Sequence, residues 1–251
     1  MKYLLTAVLF CCALLNAQQE SERFSLKPNS PKAGDMITVT YDAGTAAAKF
    51  KTTDKIDCYA LIVTDGFNKP DLLILPMHNS NTLWTGSFAL STPDAKLLLF
   101  RFVSGDNVDD NGGNVWNSLV YDKEGKPMRG ACYSLSLLLR GGINSFKHAK
   151  NEDAALEQLE KELRLYPDNT NAMALLWDAE LRTDHSPDGV AKIKDDIGKQ
   201  FKANSNNEEF VSQIIAAYEF AGDSTKAQEI RKQEIARRPQ GLVARLTAWP
   251  G

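Results

Sequence analysis

Two periodicities divide this chain. Over 24–139, apolar and β-branched residues gather in runs of strand length at 36–41, 56–63, 72–75, 83–90, 97–103, 115–121 and 131–139. Turn chemistry separates them: Pro28, Pro31 and Gly34, then Asp65-Gly66 and Pro70, Thr92-Pro93-Asp94, the Asp/Asn/Gly stretch 105–114, and Glu124-Gly125-Lys126-Pro127. Seven short strands without a helical insert predict an antiparallel β-sandwich. After Gly141-Gly142 the spacing becomes helical and the composition shifts to Ala, Glu, Lys, Gln and Leu.

In that second region Ala155, Leu156, Leu159, Leu163 and Leu165 build one face of a helix that Pro167 stops. Ser186 and Pro187 open another, since Pro at the first helical position is preorganised. Ile214, Ile215, Tyr218 and Phe220 line a third that ends at Gly222, and Ser224 is expected to cap a fourth that runs to Arg238. Pro167 and Pro239 stand 72 positions apart (239 − 167), room for two units of 36, near the ~34-residue tetratricopeptide period. That register places Phe146 and Tyr218 on the aromatic position of a first helix, and Ala155 and Ala227 on the small-residue position of a second. The unit between them, with Trp177, Leu181, Ile193 and Ile197, is degenerate. The expected fold class is α+β, multidomain: an immunoglobulin-like β-sandwich over 18–140, then tetratricopeptide-like helical hairpins over 143–241. An apolar C-terminal segment, 242–251, carries Leu242, Val243, Leu246 and Trp249.

The N-terminus sets the compartment. Lys2, the apolar run over 3–15 and small Ala17 ahead of Gln18 read as a bacterial signal peptide over 1–17, which predicts a periplasmic or extracellular protein. No other run is long enough to span a bilayer, so no transmembrane segment is expected after cleavage. The 251 residues carry 29 Lys and Arg against 32 Asp and Glu, a net charge of −3, with neither half strongly charged. No electrostatic footprint for nucleic acid follows. Cys58 and Cys132 survive cleavage in a compartment where a disulfide can persist. The alternation along 131–139 turns Cys132 away from Leu135, Leu137 and Leu139, so a Cys58–Cys132 bridge and two free thiols both remain open.

Four motifs combine with the helical repeats into one arrangement: Pro28-x-x-Pro31-x-x-Gly34-x-x-Ile37-x-Val39-x-Tyr41, Trp84-x-Gly86-x-Phe88, Asp109-Asp110-Asn111-Gly112-Gly113 and Gly125-Lys126-Pro127. Together they resemble the region that precedes the catalytic domain in secreted bacterial thiol-disulfide reductases of the thioredoxin family. The resemblance covers about 24–241 and implies an accessory, non-catalytic role. The Cys-x-x-Cys that such chemistry needs is absent, since Cys58 and Cys132 lie 74 positions apart (132 − 58).

Candidate chemistry is sparse. His78, His148 and His185 are scattered, with no zinc-binding spacing. No Gly-x-Ser-x-Gly elbow, phosphate loop or dinucleotide fingerprint occurs, so no catalytic residue and no cofactor is assigned. Asn107, Asp109 and Asn111 alternate as in the start of a calcium loop, but Ser118 stands where the closing acid belongs, and Asx-turns explain the pattern more simply. Trp84 and Trp116 are candidates for a carbohydrate platform, Trp116 as the more exposed of the two. The expected function is non-enzymatic binding or scaffolding through protein or peptide contact. The alternatives are an accessory region of a disulfide oxidoreductase whose catalytic domain lies outside this chain, and a carbohydrate-binding module.

Overall fold

The computed structural model describes residues 23–51, 54–64, 70–143 and 146–248. The signal-peptide segment and Trp249 lie outside the described residues. Apart from a short stretch at 64–69, a first compact unit ends at Lys126 and a second begins at Pro127.

The first unit is made of antiparallel strands: β1 (Phe24–Lys27), β2 (Met36–Asp42), β3 (Asp57–Val63), β4 (Asp71–Pro76), β5 (His78–Ser80), β6 (Leu83–Ala89), β7 (Leu97–Ser104), β8 (Asn107–Asp109) and β9 (Trp116–Leu119). One sheet runs β1-β2-β6-β5 and the other β4-β3-β7-β8, with β9 also on β7. The period of two is plain in β2, where Ile37, Val39 and Tyr41 are fully buried and Met36 is 62% exposed. Tyr41 lies opposite Trp84, and Val39 opposite Gly86. A Cβ at Gly86 would stand 2.7 Å from the Met77 Sδ, so a side chain here would have to displace the Met77 thioether. Phe24, Tyr41, Phe102 and Trp116 form an aromatic centre, with Phe24 stacked on Trp116 at 5.3 Å and Tyr41 tilted against Phe102 at 4.6 Å.

The second unit holds α1 (Ala131–Leu139), a two-residue pair β10 (Gly142–Ile143) and β11 (Phe146–Lys147), then α2 (Glu152–Leu165), α3 (Thr170–Thr183), α4 (Pro187–Asn204), α5 (Glu208–Phe220), α6 (Ser224–Arg237) and α7 (Leu242–Ala248). None of these helices is long and apolar enough to cross a membrane. Asn151, Asn169, Ser186, Asn207 and Asp223 each cap a helix by accepting a backbone N–H from three residues on. Met173, Trp177, Leu181, Ile193, Ile197, Phe210 and Ile214 share one core.

The structure differs from the sequence expectation at four points. The run 131–139 is not a strand. Its N-terminus is closed by the buried carboxylate of Glu162 on α2, which accepts the Gly130 N–H at 2.6 Å and the Tyr133 N–H at 3.4 Å. An anionic cap at the positive helix end, together with Ala and Leu propensity, outweighs the accidental alternation. Nor does the expected face hold, since Cys132, Ser134 and Ser136 are fully buried. Ser136 satisfies its hydroxyl by donating to the Tyr133 carbonyl at 2.7 Å. Phe146 is buried but lies in β11 rather than on a helix. The cap of α6 is Asp223, not Ser224, with its side chain 3.0 Å from the Lys226 nitrogen.

The 72-residue offset holds at the level of elements. Glu152–Leu165 and Ser224–Arg237 are both 14 residues long and start 72 positions apart, and Thr170 and Leu242 open α3 and α7 at the same offset. Tyr166 and Arg238 end α2 and α6 with nearly the same backbone angles, φ −136 and ψ 73 against φ −134 and ψ 79.

Candidate binding groove

Helices α3 and α5 pack side by side, and α7 packs on α5 and α6. Ala174, Asp178 and Leu181 recur at helical spacing on one face of α3. They meet Gln213, Ala216, Ala217 and Phe220 of α5 around a hollow of about 290 Å³. Ala216 also lines a second hollow of about 270 Å³, whose walls include Ile215, Val243 and Leu246. The two hollows therefore adjoin along one row of helices. Two large apolar side chains on that row face solvent: Phe220 is 49% exposed and Leu246 58%. Phe220 was grouped in sequence with buried Ile214, Ile215 and Tyr218, but its position at the end of α5 leaves it open.

Polar groups frame the hollows. The Arg182 guanidinium lies 4.9 Å from the centre of the Phe220 ring and pairs with Asp178 at 2.9 Å. Arg140 reaches the other Asp178 oxygen at 3.0 Å. Burial pushes the Asp178 carboxyl up, but hydrogen bonds from Arg182 and Arg140 outweigh it and hold the carboxyl below its usual range. The Gln213 Nε2 donates to the Asn171 Oδ1 at 2.7 Å. An apolar floor with a few fixed polar groups suits recognition.

A further hollow of about 370 Å³ opens between α3 and α4, with Trp177, Glu180, Lys192 and Asp196 in its wall. Trp177 donates its indole N–H to Asp196 at 2.8 Å. Burial raises the Glu180 carboxyl, with Lys192 opposing and Asp196 adding to the shift.

The structure disperses the residues singled out in the sequence. Asp109 is fully buried, and its carboxylate receives the Arg23 guanidinium at 3.0 and 3.3 Å, the Tyr41 hydroxyl at 2.9 Å and the Asn111 N–H at 3.1 Å. The Asn111 side-chain oxygen also accepts from Arg23, while Asn107 is exposed. A fixed guanidinium thus stands against the oxygens that a calcium ion would need. Among the described residues no three His, Cys, Asp or Glu side chains converge on a metal position.

Cys58 and Cys132 are free, buried thiols, one in each unit. Burial pushes both pKa values up, Cys132 to about 12. Trp116, expected near the surface, is fully buried with Arg23 over its ring at 5.1 Å, and Trp84 is 7% exposed. His78 and His185 are exposed and His148 is half-buried, each in a different segment.

No known protein family's sequence profile matches the chain. Over 102 residues, 41% of its length, the chain is 31% identical to a protein named alpha-amylase from Clostridium acetobutylicum. The matched stretch spans 13% of that relative.

Proposed function

We propose that this chain is an exported binding protein, without catalysis of its own, that holds a segment of a partner protein or peptide along α3, α5 and α7. The observation that carries this reading is the pair of adjoining hollows that share Ala216, with Phe220 and Leu246 left open beside them. The first is mostly apolar, and the second is walled by Ile215, Val243 and Leu246 together with Ser212, Thr247 and the Glu219–Arg231 ion pair. Such a row offers side-chain pockets at helix spacing, and a few paired charges at its margin fix orientation.

The finer fold reading accompanies it. The order β1-β2-β6-β5 against β4-β3-β7-β8 supports an immunoglobulin-like sandwich. The 72-residue offset, the Gly222 turn and buried Ala155 and Ala227 support tetratricopeptide-like hairpins. The resemblance to thioredoxin-family accessory regions fits the same role, because buried thiols with raised pKa values supply no thiolate for exchange. The alpha-amylase match points instead toward polysaccharide. Trp84, Trp116 and Trp177 are all buried, so a sugar platform would lack a described tryptophan, and the peptide reading is preferred.

A random-peptide display screen against the purified chain from Gln18 tests the proposal. Selected peptides should bind the unaltered chain at least tenfold more tightly than a Phe220→Ser/Leu246→Ser variant that melts normally. Equal binding to both chains would refute it.

A further inference from the structure

The outer strand of the second sheet carries an interaction surface of its own. β4 is the last strand of its sheet and pairs with β3 alone among the described residues. The phase of that ladder follows from one bond: Met77 donates its N–H to the Ile56 carbonyl, in the same register that sets Leu75 opposite Cys58 and Leu73 opposite Ala60. Hydrogen-bonded residues alternate along an antiparallel strand. Leu73 and Leu75 therefore point their backbone groups at β3, whereas Leu72 and Ile74 point theirs away. Among the described residues nothing pairs with those outward groups.

The side chains of the same two residues are also open, Leu72 at 50% and Ile74 at 55% exposure. Edge strands are normally protected by a charge, a bulge or a proline within the strand. Here Asp71 and Pro76 stand only at the two ends, and Leu-Leu-Ile-Leu lies between them.

We infer that β4 is a self-pairing edge, whose partner is the β4 of a second copy of this chain. An antiparallel pair with its twofold axis at Leu73 sets Leu72 opposite Ile74 of the other copy, and the reverse. Those are the residues whose N–H and C=O groups face outward, so the two pairs exchange four hydrogen bonds. The same register brings the four exposed side chains into two cross-strand apolar pairs on one face. A self-complementary patch that meets itself about a twofold axis is the commonest closed arrangement of homo-oligomers. The ladder of β3 with β4 continues across the axis without a break.

Sedimentation of the chain from Gln18 over a concentration series reads the association. A concentration-dependent dimer is expected. Leu72→Pro removes an outward donor, and Ile74→Lys sets a cation beside the axis; neither touches a bond to β3. Each should weaken dimerisation at least tenfold, with an unchanged melting temperature at dilutions where the unaltered chain is monomeric. Leu73→Cys gives an independent reading, because position 73 would face itself across the axis at about 4.5 Å between Cα atoms, within disulfide reach. Mild oxidation should link that variant into covalent dimers, while Cys58 and Cys132, being buried, give no background. A monomer at every concentration, including one that binds an unrelated strand peptide at β4, would overturn the inference. So would a dimer indifferent to both edge substitutions and not linked through position 73.

Discussion

Asp109 shows how one carboxylate can organise a loop without a metal. It is buried with Arg23 and Tyr41 as partners, and its removal would leave a guanidinium and a phenol without their acceptor. Breaking a buried pair in this way costs about 3 to 5 kcal/mol, so Asp109→Ala should lower the denaturation midpoint sharply. Millimolar calcium should leave the melt of the unaltered chain unchanged; a calcium-dependent rise lost in Asp109→Ala would mean that the ion displaces Arg23. The buried thiols make a pH prediction. Burial lifts Cys132 from 9.0 to about 12 and also lifts Cys58, so the folded chain keeps protons that the unfolded chain releases. Their contribution to stability is complete below pH 9 and is lost as pH rises from there toward 12. Urea midpoints should fall across that window, and Cys132→Ala should make the fall shallower. The Asx-turn in which Asp109 accepts the Asn111 N–H is legible in the Asx-rich loop, but the burial of Asp109 against Arg23 is not, because Arg23 lies 86 positions away.

At the scale of elements, local chemistry decided what was readable. The α5–α6 turn was legible because its signals are adjacent. Gly222 has φ 74, its N–H reaches the Glu219 carbonyl at 3.0 Å, and the Asp223 N–H reaches the Tyr218 carbonyl at 2.8 Å, which closes the helix end. Ala227 then lies fully buried at the start of α6. Replacing it with Leu should overpack the hairpin by ~1 to 3 kcal/mol, read as a loss in urea melts; no loss would remove Ala227 from the helix contact. By contrast, the helix over 131–139 is not legible locally, because its start is closed by Glu162, a residue on another helix that no local pattern announces. The groove was illegible for a related reason. Phe220 and Leu246 look like core residues in sequence, and only the packing of α3, α5 and α7 shows that they are open.

At the scale of the molecule, the change of period near residue 140 located two kinds of architecture, and the compact units divide slightly earlier, at Lys126 and Pro127. The difference is α1, whose alternation disguised a helix of the second unit. The N-terminal pattern predicts export, so mass spectrometry of the secreted chain should show Gln18 as its first residue; a chain that retains Met1 would contradict that address. Partner binding by the helical unit is the central claim, and hydrogen–deuterium exchange tests it most directly. Backbone amides of the chain are compared with and without a peptide selected from the display screen. Added protection is expected in α3, α5 and α7, around Ala174, Ala216 and Leu246, and none in β1 to β9. Protection confined to the strands, with those three helices unchanged, would contradict it.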